Sequence, residues 1–259
     1  MRTTLAILLS FITLTSVSQS FGDLCREGIK QITNKNYEKA RELFHEATLL
    51  GNSNEEKAYS HANLAYSHQM CGDLKKALDN YNTAISYESK EIALVLQRAN
   101  IYLLLDSTEQ ALKDYNHIIE KEPYNSGAIY VRAGIHAHNG NITAAREDYN
   151  RLLAIDPENI NAHLGHAILY QLEKRYNESL AILSHLIEEN PGNAAIYIAR
   201  SDVERAMGYY ELALMDVNKA ISIIPGNANY YKLQAFLLEK LGKKEAAKRS
   251  LENAAVLER

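Results

Sequence analysis

Pro123-Tyr124-Asn125, Pro157-Glu158-Asn159, Pro191-Gly192-Asn193 and Pro225-Gly226-Asn227 are four versions of one phrase, each beginning 34 residues after the last. They contain all 4 prolines of the 259-residue chain. Proline stops a helix, because it lacks an N–H and pushes its predecessor out of the helical region. The asparagine two residues later is a good N-cap for the next helix. The phrase therefore reads as stop, turn, start, and its spacing is the length of a helix–turn–helix unit that stacks on copies of itself.

The same beat runs through the small residues. One column holds Gly28, Ala65, Ala99, Ala133, Ala167, Ser201 and Ala235; a second holds Ala40, Ala77, Ala111, Ala145, Ser179, Ala213 and Ala247. Every step is 34 residues except the first in each column, which is 37, so three extra residues fall within 51–57. Small side chains are needed where two helices approach closely. A bulky column, Phe44, Tyr81, Tyr115, Tyr149, Leu183, Val217 and Leu251, follows the second small column by four residues and shares its helical face.

These columns, with Gly72, Gly140, Gly208 and Gly242 at the inter-helix turns, resemble the tetratricopeptide repeat family, with its small, small, aromatic, proline pattern. The tryptophan this family prefers is missing; that column reads Leu24, His61, Val95, Ile129, His163, Tyr197, Tyr231. The resemblance implies an all-α, right-handed superhelical solenoid of about seven units: 21–57, 58–91, 92–125, 126–159, 160–193, 194–227 and 228–259. It leaves room for one array and no second domain. It also implies a non-catalytic protein-binding scaffold rather than an enzyme.

Residues 1–20 stand apart. Arg2 precedes an apolar run from Leu5 to Leu14, followed by Ser16-Val17-Ser18-Gln19-Ser20. A charged start, a ten-residue apolar core and a small-residue cleavage zone are the layout of a secretory signal peptide. The core is too short to span a bilayer. The expectation is export, to a bacterial periplasm or beyond, with cleavage after Ser18 or Ser20 and no membrane span in the mature chain. Cys25 and Cys71 should stay free. In the repeat register they sit nine residues apart along neighbouring helices, an offset of roughly 13 Å, well beyond disulfide reach.

Composition excludes several functions. Without Arg2 the balance is 27 basic to 32 acidic side chains, a net charge of −5, with no basic stripe for nucleic acid. No nucleotide-binding or Ser–His–Asp signature is present. His136, His138, His163 and His166 cluster in sequence, but His136 and His163 fall in packing columns and no spacing typical of zinc completes them. No cofactor and no metal are expected.

The resemblance places the first helix of each unit on a concave groove. The side chains aimed inward would include Tyr59, Tyr66, Gln69, Leu96, Asn100, Tyr130, Leu164, Gln171, Asp202, Arg205, Lys232 and Phe236. Apolar and tyrosine side chains in a groove suit an extended peptide or an amphipathic helix. Two alternatives stand beside this reading: an accessory subunit of an enzyme or metal-dependent factor, and a structural array that associates with itself. One correlation is internal to the chain. Arg98, Arg132 and Arg200 each precede the first small column, and Asp114, Asp148 and Asp216, sixteen residues later, each precede the bulky column. The two helices of a unit run antiparallel, which predicts three structural ion pairs.

Overall fold

A computed structural model describes residues 20–258; the expected signal peptide, apart from Ser20, lies outside them. The described residues form fourteen helices and no strands. They are α1 (Phe21–Thr33), α2 (Tyr37–Leu50), α3 (Asn54–Met70), α4 (Leu74–Tyr87), α5 (Ile92–Leu104), α6 (Thr108–Lys121) and α7 (Ser126–His138). There follow α8 (Ile142–Ile155), α9 (Ile160–Leu172), α10 (Tyr176–Glu189), α11 (Ala194–Ala206), α12 (Tyr210–Ile223), α13 (Ala228–Lys240) and α14 (Lys244–Leu257). None is long and apolar enough to cross a membrane.

Each odd helix joins the next even one through three residues, the middle one in the left-handed region. Those middle residues are Gly72 (φ 83°), Gly140 (76°), Gly208 (83°) and Gly242 (73°), and in three turns Lys35 (59°), Asp106 (54°) and Lys174 (60°). The last turn of helix is closed by paired backbone bonds: Asn141 N–H donates to the His136 carbonyl at 2.8 Å, and Gly140 N–H to that of Ala137 at 3.0 Å. The other six turns repeat the longer bond, for example Arg175 to Tyr170 at 2.8 Å. This is the Schellman arrangement, which satisfies carbonyls a helix end would otherwise strand.

Four of the six even-to-odd junctions, those from α6 to α13, use the proline phrase. Asn125, Asn159, Asn193 and Asn227 are the N-caps of α7, α9, α11 and α13, each side-chain oxygen accepting from a backbone N–H of the new helix. The junction with the extra residues starts α3 differently, with a reciprocal capping box between Ser53 and Glu56.

Both small columns are buried throughout, with Ala40, Ala65, Ala77, Ala99, Ala111, Ala133, Ala145, Ser179 and Ala213 at 0% exposure. The bulky column packs against them, and two glycines show how tightly. A Cβ on Gly165 of α9 would lie 2.3 Å from the Tyr149 ring of α8, and one on Gly28 of α1 would lie 2.7 Å from Phe44 of α2. Leu251 departs from its column at 47% exposure, because among the described residues nothing packs on that face of α14.

The helices fall into two compact units, one ending at Ala111 and one beginning at Leu112, within α6. In the first, α1 to α5 pack in chain order around two apolar clusters, one centred on Leu24, Phe44 and Leu64, the other on Ala65, Tyr81 and Ile101. In the second, consecutive helices from α7 to α14 pack in chain order, and α9 also touches α7 and α11 directly, which sets those odd helices in one layer. Its clusters include Leu183 with Ile196 and Val203, and Val217 with Leu237.

The turns give two opposite tests. Gly140→Ala should cost about 1–2 kcal/mol, the penalty for an L side chain in the left-handed region. Lys174→Gly should leave stability unchanged or raise it, since it removes that penalty from an exposed site. Urea unfolding followed by circular dichroism reads both, and equal losses at the two sites would show that backbone conformation does not limit these turns.

Candidate functional site

The residues the sequence assigns to an inward face are all half-buried or exposed, and none enters the core. In the first unit, Tyr59, Tyr66 and Gln69 project from α3, and Leu96 and Asn100 from α5. Tyr59 is 44% exposed and meets Phe44 edge-on with ring centres 6.5 Å apart. Tyr66 meets Tyr37 of α2 in the same way at 6.4 Å. Tyr59 is thus anchored on one side and open on the other, while Tyr66 is tied more closely to packing.

In the second unit, Tyr130 of α7 is 40% exposed above the buried Tyr149, with ring centres 6.3 Å apart. Leu164 and Gln171 lie on α9, where the Gln171 side-chain amide donates to the Asp202 carbonyl of α11 at 3.4 Å. Asp202 and Arg205 pair on α11 at 2.9 Å, and the Arg205 guanidinium lies 5.8 Å from the centre of the Phe236 ring of α13. Lys240 approaches the same ring at 5.4 Å, a neighbour that sequence reasoning passed over because it lies one turn beyond the inward column. Lys232 is engaged with Glu258, the C-cap of α14. Each unit therefore offers rings and aliphatic side chains at these positions, and in the second Arg205 and Lys240 are held over the Phe236 ring.

Within each unit a polar seam joins neighbouring helices. Arg132 of α7 makes a two-pronged contact with Asp148 of α8, Nε to Oδ2 at 2.8 Å and Nη2 to Oδ1 at 2.6 Å. Arg200 of α11 does the same with Asp216 of α12 at 2.7 and 2.8 Å. Both aspartates are buried, at 4% and 5% exposure. Deleting either arginine would strand a buried carboxylate, a change that costs about 3–5 kcal/mol where burial is complete. Arg98 and Asp114, the remaining combination, belong to different units. Asp114 is buried, and Arg98 Nη1 donates to Asn82 Oδ1 at 3.0 Å.

That last contact is part of a pattern the sequence reading did not include. Each arginine also reaches sixteen residues back, to the second helix of the preceding pair: Arg98 to Asn82, Arg132 to Asn116 at 2.8 Å, Arg200 to Ser184 at 3.3 Å. Gln234 makes the neutral version, donating to Asn218 at 2.6 Å and accepting from Ser250 at 2.7 Å.

Glu204, one turn after Arg200, is the seam's unsatisfied member. It is 7% exposed, and its Oε2 has no hydrogen-bond partner. Burial, and then the Asp216 carboxylate, push its acid up to about 7, against the pull of Arg200. Of the four clustered histidines, His163 is bonded through Nε2 to the Pro157 carbonyl at 2.9 Å. His166 packs 5.9 Å from the Tyr149 ring, with burial lowering its pKa. Among the described residues, no three His, Cys, Asp or Glu side chains gather in a group that could hold a metal. Cys25 and Cys71 are free.

Residues 96–160 and 136–203 match models of the tetratricopeptide repeat. The chain is similar to a tetratricopeptide repeat protein from Parabacteroides merdae, with 28% identity, 92% of this chain and 93% of that one covered, and a TM-score of 0.84. Yeast Tom70 shares the fold at 19% identity and a TM-score of 0.73, over 96% of this chain and 55% of its own. So does TTC0263, a thermophilic protein of Thermus thermophilus, at 17% identity and 0.57, over 71% of this chain and 98% of its own. None of the curated proteins compared matches in sequence.

Glu204 makes stability depend on pH. Its folded pKa of about 7 lies above the ordinary 4.5. The stabilisation is fully present below the ordinary value and is lost as pH rises through the folded one. Melting temperature should therefore fall from pH 5 to pH 8 more steeply in the native chain than in Glu204→Gln, which stays neutral. Parallel curves for the two proteins would show that Glu204 does not titrate in this range.

Proposed function

We propose that this tetratricopeptide repeat protein is a non-catalytic scaffold that holds a polypeptide segment against its odd-numbered helices, and that it does so outside the cytoplasm. The observation that supports it is the exposure of Tyr59 (44%), Tyr130 (40%) and Phe236 (39%) at inward positions, only a few residues from columns at or near 0%. Burying apolar surface is worth about 25 cal/mol per Å², and leaving aromatic rings open forgoes that gain. Rings of this kind supply most of the energy when an extended or helical segment docks. The repeat fold generally mediates protein–protein interaction, and the chemistry of the face agrees.

Export rests on the first twenty residues. Ser20 caps α1, its side chain accepting from the Asp23 N–H. Cleavage after Ser18 would keep that cap, worth about 1 kcal/mol. N-terminal sequencing of protein recovered from the cell envelope should read Gln19 first. Recovery of the intact chain in the cytoplasmic fraction would overturn this part of the proposal.

The binding face is tested with the full chain and a displayed peptide library. Tyr59→Ser combined with Tyr130→Ser should weaken the selected peptides about tenfold or more, with the melting temperature little changed. A large fall in melting temperature with unchanged peptide affinity would reassign both rings to packing.

A further inference from the structure

In the first unit one stretch of the inward face departs from the repeat. Later units start their odd helices with a capping asparagine, Asn125, Asn159, Asn193 or Asn227; the equivalent position before α5 holds Glu91. Its carboxylate makes no capping bond. In the next unit the same position relates differently to its neighbour: Asn125 Nδ2 donates to Glu122 Oε2 at 2.7 Å, tying that carboxylate down. The counterpart pair here is Glu91 with Glu88, two like charges three residues apart, joined only through their backbones by a 3.3 Å bond. A cap worth about 1 kcal/mol is given up for a repulsion. Among the described residues, neither glutamate has an ion-pair or side-chain hydrogen-bond partner.

The two flank a cavity of about 440 Å³ whose other lining comes from α3 and α5. Glu55, Ala58, Tyr59 and Ala62 form one face of α3 at spacings of three, four and seven residues, and Leu94 closes the floor from α5. The floor is apolar and aromatic; the rim carries three carboxylates. Glu55 likewise has no ion-pair partner among the described residues. Lys57, the cation nearest in sequence to Glu55, is held 5.5 Å over the Tyr87 ring instead. A lone carboxylate near a helix start is accounted for by the helix dipole. Two neighbouring glutamates that displace a cap, above an open apolar floor, are not.

We infer that this pocket receives a lysine or arginine side chain of the bound polypeptide, its aliphatic stem lying along Tyr59, Ala62 and Leu94 and its charge among Glu55, Glu88 and Glu91. Lysine and arginine combine an apolar stem with a charged head, and bury one while keeping the other among polar groups. A tyrosine face adds attraction for the cation. The inference rests on the reading that the inward face binds a polypeptide, and it adds what that polypeptide carries: a basic residue beside apolar ones.

Two measurements on the full chain separate the two claims. The first titrates Nα-acetyl-lysine N-methylamide, with the norleucine analogue as the uncharged control, and follows the Ala58 and Ala62 methyl signals by NMR. The lysine compound should move them, the control should not, and added salt should suppress the effect. The second repeats the peptide-library selection with the native chain and with Glu55→Gln, Glu88→Gln and Glu91→Gln combined. Peptides selected by the native chain should be enriched in Lys or Arg, and the triple variant should bind them about tenfold more weakly while still binding neutral peptides. Equal shifts from both small probes, or selected peptides without basic enrichment, overturn the pocket assignment and leave the binding face standing. A lysine-specific shift with no peptide selected at all supports the pocket and overturns the wider groove reading.

Discussion

Everything in this chain depends on how closely two helices can approach. A helix pair settles at 8–10 Å between axes, set by the side chains at the contact. Here the contact positions are held to glycine, alanine or serine in all seven copies of both columns, and the bulky residue of a neighbouring helix fills the space. The Tyr149 ring occupies the volume that a methyl on Gly165 would need. Such packing is strictly local. Each helix pair buries its apolar face only against its neighbours, so stability accumulates by nearest-neighbour terms.

The polar seam solves a second problem of the same geometry. Packed helices bring polar side chains off the exposed surface, and a half-buried arginine needs its donors satisfied. Spacings of plus and minus sixteen place one partner in its own hairpin and one in the hairpin before. The arginine therefore staples three helices rather than two. Gln234 fills the same role without charge, so the geometry and not the ion pair is the common element. The plus-sixteen partner was legible in the sequence because arginine and aspartate vary together from unit to unit. The minus-sixteen partner was not, because it alternates between Asn82, Asn116, Ser184 and Asn218, residues that look like ordinary solvent-facing polar positions.

The repeat made the fold legible: prolines, capping asparagines and small columns each occupy the structural place their chemistry requires. The face was legible only as a set of positions. Tyr59 and Tyr66 sit in one face of one helix and each meets a ring edge-on, yet Tyr59 is exposed and Tyr66 is half-buried. Helical spacing says which way a side chain points, but its exposure depends on how near the neighbouring helix lies, and that is a tertiary quantity. Glu204 escaped notice for a related reason. It stands in a column of His68, Tyr102, His136, Tyr170 and Leu238, and burial, with the Asp216 carboxylate nearby, is what raises the pKa of an ordinary glutamate there.

Seven near-copies of one unit also supply their own control, because each departure can be weighed against positions that solve the same local problem. Lys35, Asp106 and Lys174 hold a left-handed backbone where four turns use glycine, and all three side chains are exposed. Glu204 places a carboxylate inside the seam, and protonation relieves it. Glu91 differs from both. It forgoes a capping bond, faces a like charge, and opens onto solvent above an apolar floor, so neither burial nor any described neighbour relieves it. The four proline-phrase junctions keep the local rule of a capping asparagine, and the junction before α5 does not. That distinction, between departures settled within the fold and one left open at its surface, is the physical ground for seeking a cationic partner at this pocket before any other.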